Sequence, residues 1–316
     1  MLAKRAGMRL AWVLSWGPLG VALCPAQGVD WSGSIQQAFV SGRQKSDYRQ
    51  GERFNRFQLT ASSGNWTAKA SYWNYSFCHW HELDNTTLGY SVGNTSAEVG
   101  RFLLPVGQVT WDNQWYSNFV FVPLIESHTY GDQKLLERTT LGAKVQTIQG
   151  NDTYEASLTS SNELVSHLFA DKLNRVSLRW SRYHNGSIVG LSGFFDTDTL
   201  GSEEQMLMFD YRWTVPHWIV TTEMAAYQAP GTRMAGYVLD VNHRPKNWQD
   251  VTLAFRLERK STMRTSPSRQ ETWTAAVKTR LPWDMTLLTN YTGGPGTNQV
   301  SLGGPWTVGL YKTIRF

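Results

Sequence analysis

The sequence predicts an all-β fold, a closed antiparallel barrel of about sixteen strands that crosses a membrane. Three observations carry this expectation. Period-two alternation runs through most of the chain, short connections alternate with long ones, and the last stretch alternates up to a terminal Phe316. Composition agrees, with 15 Trp, 13 Tyr and 13 Phe against 2 Cys and a negative mean hydropathy. In a membrane barrel only every second strand residue faces lipid, and aromatic rings gather at the two interfaces.

The first segment is read as a leader. Lys4, Arg5 and Arg9 precede an apolar run from Leu10 to Leu23, and small residues follow at Ala22, Ala26 and Gly28. The pattern predicts a secretory signal peptide over 1–28, cleaved after Ala26 or Gly28. The apolar run is about 14 residues, short of the roughly 20 that a helical span needs. Cys24 is not expected to be lipidated, because Val21-Ala22-Leu23 lacks the small residue that precedes a lipidated Cys. The barrel then occupies 29–316. Losing the leader takes the three cations Lys4, Arg5 and Arg9 from a formal net charge of +5, leaving about +2. That balance is too small to argue for a nucleic-acid partner. Only Cys78 remains after the leader, so no internal disulfide is expected.

The strands follow in order. Trp31-Ile35-Phe39 opens the set, then Phe57-Leu59-Ala61 and Trp66-Ala68-Ala70-Tyr72 flank Ser63-Gly64-Asn65. Leu88-Tyr90-Val92 and Ala97-Val99 flank Asn94-Thr95-Ser96, and Leu141-Ala143-Val145 and Tyr154-Ala156-Leu158 flank Gly150-Asn151-Asp152. Val176-Leu178-Trp180 and Val189-Leu191-Phe195 flank His184-Asn185-Gly186-Ser187. Leu207-Phe209-Tyr211-Trp213 and Trp218-Val220-Met224 flank Val215-Pro216-His217. Ala235-Tyr237-Leu239-Val241 and Val251-Leu253-Phe255-Leu257 flank Arg244-Pro245-Lys246-Asn247. Trp273-Ala275-Val277 and Met285-Leu287-Tyr291 flank Leu281-Pro282-Trp283-Asp284, and Val308 to Phe316 closes the series. Turns of two to five residues are expected at one end and loops of six to thirty-five at the other, as in barrels with short periplasmic turns and long external loops.

The opposite face of these strands is expected to line a water-filled interior. It carries Arg56, Lys69, Lys144, Arg179, Arg212, Arg256, Lys278 and Arg280, with Glu155, Asp210, Glu223, Asp240 and Glu258. A dry core holds so many charges only if they pair, since desolvating each costs several kcal/mol. A paired polar plug is the competing reading. Trp31, Tyr72, Tyr90, Trp213, Trp218, Trp248, Trp273 and Trp306 are expected at the lipid interfaces.

The longest connection, from Pro105 to about Glu137, is rich in aromatics. A loop of that kind needs burial, and the barrel interior offers it. Asp112, Glu126 and Asp132 on this loop would face the basic wall residues and set a transverse field across a constriction.

Here the chain resembles a family. The stretch Gly100-Arg101-Phe102-Leu103-Leu104-Pro105-Val106-Gly107 is similar to the segment that leads into the third loop of sixteen-stranded bacterial outer-membrane porins, of the general or phosphate-selective kind. The alternating end Val308 to Phe316, broken by Lys312, resembles the C-terminal signature of bacterial outer-membrane barrels. The resemblance implies the outer membrane of a Gram-negative-type bacterium, a homotrimer, and a third loop folded inward as a constriction. It also implies an inward Arg101, which strict alternation places on the side of Val99 unless a bulge intervenes. The acidic third loop departs from the phosphate-selective members.

No catalytic group is expected. Tyr183-His184-Asn185-Gly186-Ser187 holds a His and a Ser, but the pattern is that of a turn. Cys78-His79-Trp80-His81-Glu82 is the most metal-like cluster, placed in the second external loop, yet its spacing is that of no structural zinc or haem site. No metal and no cofactor are expected. Two functions stay open. One is a porin that passes ions and small hydrophilic solutes through a barrel set in outer-membrane lipid. The other is a sheath barrel housing a partner, an electron carrier or a secreted chain. A folded-in third loop would leave no room for such a guest.

Overall fold

Every backbone N–H and C=O that crosses a bilayer needs a partner within the protein, and a sheet meets that need only when it closes on itself. The computed structural model of the chain describes residues 28–42, 52–75, 80–83, 85–107, 140–160, 173–197, 203–263, 268–294 and 306–316. They form one antiparallel sheet that closes.

The strands are β1 (Asp30–Gly42), β2 (Glu52–Ser63), β3 (Trp66–Tyr75), β4 (Trp80–Leu83), β5 (Thr86–Val92) and β6 (Thr95–Phe102). After the third loop come β7 (Thr140–Gln149), β8 (Asp152–Thr159), β9 (Arg175–His184), β10 (Ser187–Thr197), β11 (Glu203–Val215) and β12 (Trp218–Ala229). β13 (Thr232–His243), β14 (Val251–Met263), β15 (Ser268–Leu281), β16 (Met285–Gly293) and β17 (Trp306–Arg315) complete the wall. No helix occurs among the described residues.

The barrel has sixteen wall positions, because β4 and β5 share one. Tyr72 of β3 pairs with Leu83 of β4, and Lys69 pairs with Thr87 of β5. Three steps along β3 therefore meet four on the partner, which is a bulge. Closure joins β17 to β1 in register from Ser34↔Arg315 to Gly42↔Thr307. At the seam Gly33 N donates to the Phe316 carbonyl (2.9 Å) and Phe316 N donates to the Gly33 carbonyl (3.0 Å). A Cβ on Gly33 would lie 2.5 Å from the Phe316 ring, so the glycine gives that ring its seat.

Outward positions are apolar and solvent-accessible in the isolated chain, among them Phe57, Leu88, Leu178, Leu207, Met224, Phe255 and Val308. Aromatic rings pair on this face at two levels. Trp66 meets Tyr90 at 4.7 Å and Trp218 stacks on His243 at 4.1 Å near the end that carries both termini. Trp273, Tyr291 and Trp306 form a chain with spacings of 5.4 and 4.8 Å toward the other end.

Two expectations about connections are corrected. The far end is not uniformly long-looped, because Ala229 and Thr232 are joined by Pro230-Gly231 alone. Gly231 has φ +68, the left-handed backbone that a two-residue hairpin turn needs. At the termini end, the link from His243 to Val251 is longer than the expected two to five residues. There Trp248 N donates to the Pro245 carbonyl and Val251 N to the Trp248 carbonyl, so the longer turn caps itself. His184-Asn185-Gly186-Ser187 is a turn as read, with Asn185 at φ 46 and Gly186 at φ 80.

Candidate channel interior

Strand alternation decides which side chains reach the interior, and register decides which of them meet. The interior face is heavily charged and largely paired. Arg256 faces Asp240 directly across β13 and β14 and grips it through Nε and Nη2, both at 2.7 Å. Arg175 holds Asp196 with Nη2 at 2.9 Å and Nε at 3.1 Å. Glu98 is shared by Lys69 (3.3 Å) and Lys144 (3.5 Å). Thr272 donates to Glu258 at 2.9 Å.

Arg179 makes the most enclosed pair. It holds Asp210 with Nη1 at 2.7 Å and Nη2 at 2.9 Å, and Glu155 lies 3.7 Å from its Nε. Arg179 is on β9 and Asp210 on β11, so the contact reaches over β10. Gly190 of β10 makes this possible. A Cβ there would sit 2.5 Å from both Asp210 carboxylate oxygens and 2.8 Å from Arg179 Nη2. At Gly190 a glycine in mid-strand opens a notch through which an ion pair skips a strand. Gly89 of β5 lies beside the Lys69–Glu98 contact between β3 and β6, but a Cβ there would sit 3.4 Å from Glu98 Cγ, an ordinary contact, so that pair needs no such opening.

The remaining expected interior residues are placed as follows. Arg56 is buried and its Nε donates to Ser71 Oγ at 3.1 Å. Glu223 is fully buried. Arg212 pairs in register with Thr221 and is half-buried on the interior face, as is Lys278. Arg280 is exposed at the rim of the termini end. Arg101 keeps strict alternation. It pairs with Thr86 and Leu141 in unbroken register, on the side of Val99, so the inward turn implied by the resemblance does not occur. Asp112, Glu126 and Asp132 lie outside the described residues. Cys78 and His79 also lie outside them, and Trp80-His81-Glu82 belongs to β4 rather than to a loop.

The described start of the third loop turns inward. Phe102 is buried beneath Lys144, whose Nζ lies 5.4 Å from the ring centroid. Leu104 and Val106 then enter a buried apolar cluster with Phe194, Met206, Met208, Tyr227, Ala229 and Val238 on the interior face of β10–β13. Gly107 N donates to Ser192 Oγ at 3.0 Å. Its φ is +72, and a Cβ would meet Met208 Sδ at 2.5 Å and Glu223 Oε1 at 3.0 Å. Gly107 therefore supplies both the backbone turn and the space that bring the chain against the wall.

The dock adds a buried apolar patch to the charged interior face expected from the sequence. Its residues stand in runs that are apolar on both faces, such as Met206-Leu207-Met208-Phe209 and Phe194-Phe195. A lipid-facing strand with a wet interior alternates, so a continuous apolar run marks a wall buried on both sides. Arg175, Asp196, Glu98 and Lys260 were missed as interior charges. Lys260 simply continues the series Arg256 and Glu258, beyond the stretch read as strand.

Against known proteins, no family model and no curated protein matches the chain. Solved structures do. Salmonella typhi OmpF in complex with daunomycin superposes with a TM-score of 0.68 at 9% identity, over 91% of this chain and 97% of that one. The anion-selective porin from Comamonas acidovorans gives 0.60 at 11% identity, over 91% and 98%. A mutant of the Rh. blastica porin gives 0.58 at 9% identity, over 91% and 99%. The fold is that of bacterial outer-membrane porins. In barrels of this fold the short turns face the periplasm.

Proposed function

We propose that the chain is an outer-membrane channel through which ions and small hydrophilic solutes diffuse, with the third loop as its constriction. The observation that carries this reading is the dock of Leu104, Val106 and Gly107 on β10–β13, which turns the start of the third loop into the interior of a sixteen-position barrel. Barrels of this width leave an aqueous channel unless something fills them. The interior charges then serve as lining, Arg56, Lys69, Arg212, Lys278 and Arg280 among them. Asp112, Glu126 and Asp132 belong to the constriction facing them. A homotrimeric assembly fits the same reading, as does removal of 1–28 on export. Ion preference is expected to be weak, because most lining charges already hold a partner of opposite sign.

The sheath alternative is less well supported, since a guest protein and an inward loop compete for one space. Purified full-length protein in a planar bilayer tests the choice. Stepwise, ohmic single-channel currents are expected, with reversal potentials in a salt gradient shifted only slightly toward one ion. A barrel that inserts and conducts nothing would contradict the channel reading.

A further inference from the structure

A sulfur atom sits where the start of the third loop meets the wall. Gly107 has φ +72, and a Cβ on it would lie 2.5 Å from Met208 Sδ and 3.0 Å from Glu223 Oε1. The thioether therefore packs against the Gly107 backbone, with the Glu223 carboxyl bordering the same small space. Met208 is fully buried there. Its neighbour in register on β10 is Ser192, whose Oγ accepts the Gly107 N–H at 3.0 Å. One methionine thus touches the residue that turns the chain and stands beside that residue's hydrogen-bond acceptor.

Methionine is concentrated in this dock. The chain has 8 Met, and setting aside Met1 and Met8 in 1–28 leaves six. Three of the six, Met206, Met208 and Met234, belong to the dock or pack against it. Met206 and Met208 are buried and Met234 is partly buried. Met224 and Met263 point outward and are 55% and 66% exposed. Leu fills such a site about as well by volume. What a thioether adds is chemistry, because oxidation to the sulfoxide turns a flexible apolar side chain into a polar one and disrupts packed contacts.

We infer that Met208 is an oxidation-sensitive latch for the third loop. While Leu104–Gly107 is docked the sulfur is shielded, and once oxidised it no longer lets the segment dock. The reaction with a peroxide is an oxygen-atom transfer. A sulfur lone pair attacks one oxygen of hydrogen peroxide, the S–O bond forms, the O–O bond breaks, and the second oxygen leaves as water with both protons. Sulfur loses two electrons and the peroxide gains them. The shielded sulfur reacts only when the segment lifts. The added oxygen then claims the space beside Gly107, where not even a Cβ fits, and its partial negative charge faces the Glu223 carboxyl. Both effects oppose redocking, so oxidation holds the start of the loop off the wall. The consequence for conductance rests on the channel reading above.

The test treats full-length protein in detergent with hydrogen peroxide and follows three quantities in time. Sulfoxide at each methionine is read by peptide mass spectrometry, docking by hydrogen exchange of the peptide holding Leu104–Gly107, and opening by single-channel conductance in a planar bilayer. Met224 and Met263 are expected to oxidise first, and Met208 roughly tenfold or more slower, because it reacts only through opening. Exchange protection at Gly107 should be lost in the same fraction of chains that carry Met208 sulfoxide, and conductance should rise with it. V106D, which lifts the same segment, should speed Met208 oxidation several-fold and leave Met224 unchanged. M208L should keep its protection and its conductance through the same treatment, and M224L/M263L should respond as wild type does. Protection lost while Met208 stays reduced, or kept once Met208 is oxidised, would overturn the latch, and that comparison needs only wild type should M208L not fold. An M208L protein that responds like wild type would overturn it too, as would equal rates at Met208 and Met224. A protein that never conducts but shows the Met208-dependent loss of protection loses only the channel. One that conducts and is unchanged in conductance and protection after Met208 is oxidised loses only the latch.

Discussion

Two stretches of interior wall make different use of the same strand geometry. On β10–β13 the interior face is apolar and ionic at once, with Met206, Met208 and Val238 buried beside Asp210, Glu223 and Asp240. On β15–β17 and the adjoining β1 it is uncharged over most of its height, with Thr274, Thr292, Asn290, Thr307 and Gln36 turned inward. The first wall receives the start of the third loop, Leu104 to Gly107, beside its ion pairs. The second makes short hydroxyl contacts along itself, such as Thr274 Oγ1 to Thr292 Oγ1 at 3.1 Å. Low dielectric raises what each polar group on the first wall gains from its partner and loses without it. Substitutions there should be costly, and substitutions on the second should be mild.

The largest effect is expected from Gly190→Val. The branched side chain fills the notch between Arg179 and Asp210 and separates them while both stay buried. Breaking a buried pair in this way costs roughly 3–5 kcal/mol. A urea or heat melt followed by the loss of strand signal should show a large drop, and a melt within error of wild type would mean that the pair does not need the notch. Val106→Asp comes next. It places a carboxylate in the apolar dock, at a cost of about 2–3 kcal/mol. The loop, not the barrel, should come free, so conductance should rise while the melt falls only modestly. Thr292→Val is the smallest. It removes one hydroxyl contact worth about 1 kcal/mol or less, and neither melt nor conductance should change appreciably. A Thr292→Val variant as damaged as Gly190→Val would erase the distinction between the walls.

This contrast also explains what could be read from the sequence. Where one face meets lipid and the other meets polar groups, the alternation is clean, as in Phe255-Arg256-Leu257-Glu258, and strand and facing are both legible. At Met206 to Phe209 the alternation disappears, because the inner face receives Leu104 and Val106 from a segment about a hundred residues earlier. The strand is still visible there, but the reason for its inner face is not. The bulge between Leu83 and Thr86 carries no signal in period two either, since one extra residue hides in what looks like a loop. The notch at Gly190 is an ordinary strand glycine until the register shows which charges lie on either side of it. Arg101 was read correctly by alternation and wrongly by resemblance, because β6 continues without a bulge to Phe102.

The central claim is that a third loop anchored at Leu104–Gly107 narrows an aqueous channel. Deleting Val109 to Gly131 while keeping the anchor tests it most directly, with single-channel conductance and sugar exclusion measured on the refolded barrel. The deletion removes no ladder hydrogen bond of the described sheet, so the barrel should assemble. Conductance is predicted to rise, larger sugars to enter, and the small ion preference to weaken as Asp112 and Glu126 are lost. Conductance and exclusion limit equal to those of the intact chain would contradict the account.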